Sequence, residues 1–300
     1  MRYILAMIKA LTSNFLLFTS LSAAMMLPIS DSFAASSEWQ EAEGARVRVV
    51  TQSTPDENGV IKAIVEVDLE PGWKTYWREP GSSGIPPLFN FSASENVEDV
   101  KVHFPVPSLI SDETGSYAGY KKSLAFPIDL KTKDPTDATH LQADIFLGVC
   151  NEICVPISAN IDLDLKEFQT SSEQKVLIEN ARFNLPTQPA KDFNLKQAEY
   201  VSDTNSVEFE VTLPAFYPPN MKPEVFIQSP EKWPMSQPKL IDTVDGSVRF
   251  KSDIFDQPDA NTPLEGPLYV LLKLGQRSVE TTVELGTSPF CQHKVGTTSC

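Results

Sequence analysis

Residues 141–165 read "LQADIFLGVCNEICVPISANIDLDL" and carry two cysteines, Cys150 and Cys154, with three residues between them. Apolar and polar residues alternate before and after the cysteines, which is typical of half-buried β-strands. The apolar positions are Leu141, Ala143, Ile145 and Leu147 on one side and Ile161, Leu163 and Leu165 on the other. The pattern predicts two strands that meet near the cysteines.

The cysteine spacing restricts how these strands are joined. Residues four apart on a straight strand lie roughly 13 Å apart, whereas the Cα atoms of a disulfide are usually about 4.4 to 6.8 Å apart. A hairpin with the loop Asn151–Ile153 would place the cysteines opposite each other, at about 4.5 to 5.5 Å. We therefore predict a bridged β-hairpin, with Pro156 limiting the regularity of its second strand.

Two interpretations of this bridge remain open: a structural staple and a redox-active pair. Loop-closure entropy gives a five-residue ring only about 2 kcal/mol, so a bridge here adds little stability. Short local bridges are also the more easily exchanged ones. Glu152 and Asp144 are acidic, and the neighbouring sequence offers no Lys, Arg or helix N-terminus to favour a thiolate. The sequence thus favours a passive relay over a pair of highly reactive thiolates.

The first 34 residues have the composition of a Sec-type signal peptide. Arg2 and Lys9 precede an apolar run, and Ser32 and Ala34 are the small residues that a signal peptidase requires, so we expect cleavage after Ala34. The alternative is an uncleaved anchor, although the run is short and interrupted by polar residues. Either way the chain is exported to a compartment where disulfides persist. No later segment is long enough to span a membrane, so no stable membrane insertion is expected after cleavage.

The charge balance excludes several kinds of partner. The formal net charge is −15, which repels phosphate backbones and anionic lipid headgroups. Nucleic-acid binding and peripheral membrane binding are therefore not expected. Basic or neutral protein partners remain possible.

Strand patterns elsewhere predict two β-domains joined by a helix. Alternating or apolar segments at 47–50, 61–69, 100–104 and 124–130 complete an antiparallel sandwich. Thr170 is predicted as the N-cap of a helix, with Glu173 completing a capping box and Pro186 ending the helix. Further strand segments are predicted at 207–213, 224–227, 247–250, 268–274 and 279–285.

These patterns give a division of the chain into five parts. The expected order is a signal peptide (1–34), a first β-domain (38–168), a helical linker (169–189), a second, smaller β-domain (190–286) and an irregular tail (287–300). Cys291 and Cys300 in the tail are candidates for a structural disulfide. Cys291, His293 and Cys300 lack a fourth ligand, so no metal site is expected.

Three segments, taken together, resemble a known family. They are "PGWKTYWREPGSSGIPP" (71–87), "DETGSYAGYKKSLAFPIDL" (112–130) and "GVCNEICVP" (148–156). In this order they are similar to the periplasmic N-terminal domain of the thiol:disulfide interchange protein DsbD. The resemblance covers about residues 38–168 and implies an immunoglobulin-like fold. Because the membrane and thioredoxin-like domains of DsbD do not follow, a stand-alone relative is expected.

The resemblance also implies residue roles. Cys150 and Cys154 would be the redox pair, with Cys154 forming mixed disulfides. A cap loop would correspond to 111–120, in which Tyr117 is the nearest aromatic substitute for the family's Phe. The other residues predicted around the pair are Asp112, Glu113, Tyr120, Trp73 and Tyr76. Alternatively, Asp112 and Glu113 form a solvated loop, and Trp73, Tyr76 and Trp77 seal one end of the sandwich.

The leading hypothesis is a periplasmic thiol:disulfide interchange protein, a thiol–disulfide oxidoreductase of the protein-disulfide reductase type. The resemblance implies thioredoxin-fold partners and a membrane-embedded electron donor, and no cofactor is expected. One alternative is a non-catalytic binding or assembly module with a structural disulfide. Another is copper handling by the cysteine pair. No sequence motif supports a serine hydrolase or a phosphate-binding loop.

Overall fold

A computed structural model of the chain describes residues 36–81, 84–112, 115–167, 170–229, 233–244, 246–255 and 266–285. These residues belong to one compact unit. The expected signal peptide and the tail with Cys291, His293 and Cys300 lie outside the described residues. The described fold is all-β, with antiparallel strand pairing in every sheet and one α-helix between two sandwiches.

The first sandwich contains eleven strands in two sheets. They are β1 (Gln40–Ala42), β2 (Ala45–Thr51), β3 (Val60–Leu69), β4 (Lys74–Tyr76), β5 (Leu88–Asn90), β6 (Val97–Val102), β7 (Ser108–Asp112), β8 (Gly115–Tyr120), β9 (Leu124–Thr132), β10 (His140–Cys150) and β11 (Cys154–Asp164). One sheet has the order β1-β2-β3-β9-β6 and the other the order β11-β10-β4-β8-β7, with β5 also pairing with β10. This is the predicted immunoglobulin-like antiparallel sandwich.

The predicted apolar faces line the core between these sheets. In β3, Ile61, Ala63, Val65 and Val67 are each no more than 1 % exposed. Ile64 points to the other face of the strand and is equally buried, which alternation alone would not predict. A helix that covers this outer face explains its burial.

That helix, α1 (Ser172–Phe183), corrects the predicted cap. Ser171 is the N-cap, and its capping box is completed by Gln174. Thr170 was predicted as the cap, but its hydroxyl accepts a hydrogen bond from the Ser53 amide at 2.8 Å. The helix lies against the first sandwich because Ile178 packs into a small cluster with Val50 and Ile64.

The second sandwich is smaller and has its own core. Its strands are β12 (Asn194–Val201), β13 (Ser206–Thr212), β14 (Pro223–Gln228), β15 (Lys239–Val244), β16 (Ser247–Asp253), β17 (Pro267–Leu274) and β18 (Arg277–Glu284). Two short 3₁₀ helices, Leu165–Glu167 and Ser202–Thr204, lie in connections. The sheets have the orders β12-β13-β16-β15 and β14-β17-β18. The strands expected after the helix are present, and the division of the chain into two domains stays a prediction.

The three-stranded sheet of the second sandwich is buried on both faces. Val225 and Ile227 on β14 point into the core of the second sandwich, whereas Phe226 between them belongs to the core cluster of the first. Leu271 on β17, which pairs with Phe226, does the same. The two cores therefore meet through this sheet.

Candidate redox site

The two cysteines close the end of the longest hairpin. Strands β10 and β11 pair without interruption from His140 opposite Asp164 to Cys150 opposite Cys154. The sulfurs are bonded, and the two Cα atoms lie 4.1 Å apart. The Asn151 amide donates to the Ile153 carbonyl within the three-residue loop. The predicted bridged hairpin is confirmed.

The two sulfur-bearing residues differ in their access to solvent. Cys150 is only 2 % exposed, whereas Cys154 is an exposed residue at the start of β11. Ile153 beside it is 67 % exposed. An incoming thiolate can therefore reach Cys154 but not Cys150 without a change in the surrounding side chains.

A tyrosine hydroxyl contacts both sulfurs. The Tyr76 hydroxyl lies 2.9 Å from Cys150 Sγ and 3.4 Å from Cys154 Sγ. Disulfide sulfurs carry no hydrogen, so the hydroxyl is the donor. Strand β4 brings Tyr76 here because it inserts between β10 and β8 in the sheet. The same hydroxyl can stabilise a thiolate once the bond opens.

Side chains on the outer face of this sheet bury Cys150. Val149 points into the main core, so Cys150 beside it points to the opposite face. There it packs with Tyr76, Ile85, Ile110 and Tyr117, which we call the cover cluster. The Tyr76 and Tyr117 rings lie 5.2 Å apart between centroids. The cover cluster and the main core therefore lie on opposite faces of the same sheet.

The strand position beneath the cover cluster, Gly148, must be a glycine for a steric reason. A Cβ atom at Gly148 would lie 2.5 Å from Ile85 Cβ, much closer than carbon atoms can approach. Gly84 is similar, because a Cβ there would lie 2.3 Å from Pro80 Cβ and 2.8 Å from Tyr76 Cδ1. Two glycines thus allow the segment around Ile85 to lie flat against the outer face.

A lysine stands beside the pair, contrary to the expectation of no basic neighbour. Lys74 pairs with Cys150 across β4 and β10, so their side chains share one face. Its ammonium lies 5.1 Å from the Tyr117 ring centroid. The sequence neighbourhood of the cysteines did not reveal it because the two strands come from distant parts of the chain. A positive charge here favours the thiolate form of the opened pair.

Two of the aromatic residues predicted around the pair lie in the main core. Trp73 packs against the main core cluster, and its indole lies over Gly44, where a Cβ would be 2.2 Å from the ring. Tyr120 is in the same core and donates a hydrogen bond to the Pro105 carbonyl. Burial raises the Tyr120 pKa well above its ordinary value. Trp77 is also fully buried.

The predicted cap segment is a β-hairpin. Strands β7 and β8 pair from Ser108 opposite Gly119 to Asp112 opposite Gly115, and they supply Ile110 and Tyr117 to the cover cluster. The side chain of Asp112 and all of Glu113 lie outside the described residues, so their predicted roles remain predictions.

The described residues contain no group of three or more His, Cys, Asp or Glu side chains arranged to hold a metal ion. Within the same residues, no helix has the length and apolarity needed to cross a membrane.

Both cysteines lie in a segment that matches a known protein family. Residues 40–166, less than half of the chain, match the family model for the N-terminal part of the thiol:disulfide interchange protein DsbD. Over these residues the chain is similar to the DsbD N-terminal domain. The matched segment begins at β1, ends in the 3₁₀ helix after β11 and contains both cysteines. No curated protein matches the sequence.

Solved structures extend the likeness beyond the DsbD N-terminal domain. The N-terminal periplasmic domain of ScsB from Proteus mirabilis is similar with a TM-score of 0.68 and 23% identity, over 85% of this chain and all of that one. This shows that the fold continues into the second sandwich. A conserved domain protein from Bacillus anthracis aligns over 85% of this chain and 92% of its own, at 8% identity, but its TM-score of 0.24 carries no argument.

The family match and the bonded cysteines support thiol–disulfide exchange as the chemistry of residues 40–166. The family match also supports a periplasmic location. The predicted signal peptide is not part of this support.

Proposed function

We propose that the chain relays reducing equivalents through Cys150 and Cys154, from a membrane-embedded donor to thioredoxin-fold proteins. The main observation behind this proposal is that the two halves of the disulfide differ. The Tyr76 hydroxyl contacts both sulfurs, but of the two cysteines only Cys154 is exposed. The family match supports thioredoxin-like partners. An asymmetric bridge gives exchange a fixed order of steps, which a structural staple does not need.

In the reductive step, a donor thiolate attacks Cys154 Sγ. The Cys150–Cys154 bond breaks, its electron pair leaves on Cys150, and a mixed disulfide joins Cys154 to the donor. The Tyr76 hydroxyl, 2.9 Å from Cys150 Sγ, stabilises the departing thiolate. A second donor thiol then attacks the donor sulfur of the mixed disulfide. The donor is oxidised to a disulfide, and the pair is reduced to two thiols.

Delivery to an acceptor reverses these steps. The Cys154 thiolate attacks the disulfide of a thioredoxin-fold protein, and Cys150 then displaces the acceptor as a dithiol. Each step transfers two electrons between sulfur atoms of the two proteins, so no cofactor enters the scheme. Cys154 forms the mixed disulfide in both steps, and Cys150 resolves it during delivery to the acceptor.

Trapping of mixed disulfides tests this assignment. A Cys150→Ser variant cannot resolve an adduct on Cys154, so covalent complexes with thioredoxin-fold proteins should accumulate in the periplasm. The matched Cys154→Ser variant keeps only the buried sulfur and should trap far fewer. The reduced wild-type pair should also reduce the disulfide of a purified, oxidised thioredoxin-fold protein. A Cys150–Cys154 bridge with a reduction potential below about −300 mV, together with no adduct from either variant, would favour a structural staple.

A further inference from the structure

One face of the three-stranded sheet in the second sandwich contacts the first sandwich. We call it the contact face, and its residues are Glu224, Phe226, Tyr269, Leu271, Lys273 and Glu280. Alternation along β14, β17 and β18 places them on the same side, since Phe226 pairs with Leu271, Leu271 with Glu280, and Glu224 with Lys273. The contact face joins a buried apolar centre to charged groups at its edges.

The contact face holds the residues that directly follow Tyr76. The Trp77 ring meets Phe226 edge-on, with centroids 6.0 Å apart, and Trp77 is fully buried. Arg78 forms an ion pair with Glu280 and lies over the Trp77 ring, 4.6 Å from its centroid. The end of β4 is therefore fixed by two side-chain contacts from the other sandwich.

These contacts set the direction of the Tyr76 side chain. Adjacent residues of a strand point to opposite faces, so a Trp77 side chain held in the core directs Tyr76 toward the sulfurs. The Trp77 amide also donates to the Ala118 carbonyl, and the Ala118 amide to the Pro80 carbonyl. Ala118 adjoins Tyr117, so the same connection reaches a second residue of the cover cluster.

A third contact holds the other strand of the cap hairpin. Lys273 Nζ donates to the Pro107 carbonyl at 3.1 Å and lies 3.5 Å from Ser108 Oγ, at the start of β7. Glu224 holds this ammonium in place at 2.9 Å. Ile110 of the cover cluster follows Ser108 by two residues. Both strands that supply the cover are thus attached to the second sandwich.

We infer that the second sandwich positions the cover cluster over Cys150 and so controls how readily the disulfide opens. Phe226, Glu280 and Lys273 act as positioning residues, because they reach the sulfurs only through Tyr76, Tyr117 and Ile110. Loosening the contact face should let the cover move away from Cys150. The inference rests on the proposed exchange at the pair and assigns the second sandwich a role in it.

The test measures reduction of the Cys150–Cys154 bond by dithiothreitol in the full exported chain. Phe226→Ala and Glu280→Ala should each increase the reduction rate by about threefold or more, a coupling at the low end for residues in one contact network. Phe226→Leu, which keeps an apolar side chain there, should restore most of the wild-type rate. Lys196→Gln, which breaks the Lys196–Glu210 ion pair between β12 and β13, should leave the rate unchanged.

A second background separates positioning from general loosening. In Tyr76→Ala the cover is already open, so Glu280→Ala should change the rate no further. Equal acceleration by Lys196→Gln, unchanged rates in both contact-face variants, or an undiminished Glu280→Ala effect in this background would each overturn the inference. Because dithiothreitol replaces the protein partner, these rates remain informative even if trapping finds no thioredoxin-fold partner.

Discussion

Tyr76 is the residue in which packing and chemistry meet. Its ring covers Cys150, and its hydroxyl contacts both sulfurs. Its neighbours on either side, Thr75 and Trp77, point into the sandwich and are fully buried. Strand β4 and the residue after it thus combine two structural side chains with one that contacts the disulfide.

We expect Tyr76→Phe to slow reduction of the Cys150–Cys154 bond by dithiothreitol. The variant keeps the ring but loses the hydroxyl that lies 2.9 Å from Cys150 Sγ and stabilises the departing thiolate. A hydrogen bond to a charged group contributes about 1.5 to 3 kcal/mol, so the rate should fall by about tenfold or more. Tyr120→Phe is the matched control and should leave the rate unchanged, since its hydroxyl bonds to the Pro105 carbonyl in the core. The role of the hydroxyl is refuted if the two variants are reduced at the same rate.

Gly148→Ala tests the steric part of the cover. The new Cβ would collide with Ile85, so the segment around Ile85 must move away and expose Cys150. We expect faster reduction by dithiothreitol, accompanied by lower thermal stability. Gly44→Ala causes a comparable collision with Trp73 in the main core and should reduce stability without changing the reduction rate. Equal rates in the two variants would contradict this role of Ile85.

For the secondary-structure elements, the sequence predicted the features that depend on neighbouring residues in the chain. It did not predict contacts that depend on which strands pair. The faces of β3, β9, β10 and β11 followed from alternation because each strand has one buried side. The hairpin at Cys150 and Cys154 followed from the reach of a disulfide. Strand β4 was hidden because "KTY" is too short to show a period. The contacts of Tyr76 and Lys74 with the pair depend on how β4 docks beside β10.

The helix cap shows a second limit of the sequence. Thr170 and Ser171 are adjacent residues that can both cap a helix, and each has an acidic or amide residue three positions on. Ser53 decides which of the two residues caps the helix, because its amide donates a hydrogen bond to the Thr170 hydroxyl. Sequence alone contains no information on that distant partner.

Ile178→Ala measures how much the helix contributes to the first sandwich. Ile178 is fully buried against Val50 and Ile64, so truncation should lower the free energy of unfolding by about 2 to 5 kcal/mol. Urea unfolding measures the change. Val176→Ala, at a position 57 % exposed on the same helix, should stay within about 0.5 kcal/mol. A loss below this level for Ile178→Ala would mean that the helix is not part of the cooperative fold.

Asp129 makes the attachment of the helix depend on pH. Burial raises the Asp129 pKa, but hydrogen bonds and charges from His103 and Arg182 outweigh it and lower the pKa to about 2, from an ordinary 3.8. Its stabilising effect is therefore complete above about pH 4 and is lost as the pH falls toward 2. Acid titration of stability should show a steeper decline in wild type than in Asp129→Asn. Parallel curves would exclude this contribution.

For the whole molecule, the shared core indicates that the two sandwiches unfold together. Phe226 and Leu271 lie on strands of the second sandwich, but their side chains pack in the core of the first. Interfaces that are large and apolar suppress the independent motion that is otherwise expected of neighbouring domains. The second sandwich is therefore a structural part of the molecule that carries the cysteine pair.

We predict a single unfolding transition in urea. Tryptophan fluorescence reports both sandwiches, since Trp73 and Trp77 lie in the first and Trp233 in the second. Circular dichroism should give the same midpoint. Phe226→Ala should lower that midpoint for both probes together. Two separated transitions in the wild type would show that the sandwiches fold independently.

The hairpin that ends at the disulfide has one further consequence. Its strands are paired along eleven residues each, and the backbone next to Cys150 is also held by β4. Opening the sulfur–sulfur bond removes a link between positions that the sheet already keeps adjacent. The backbone should then be the same with or without the two electrons. A partner that recognises the backbone therefore binds the oxidised and the reduced protein equally well. The direction of transfer is then set by the difference in reduction potential between the two proteins, not by selective docking.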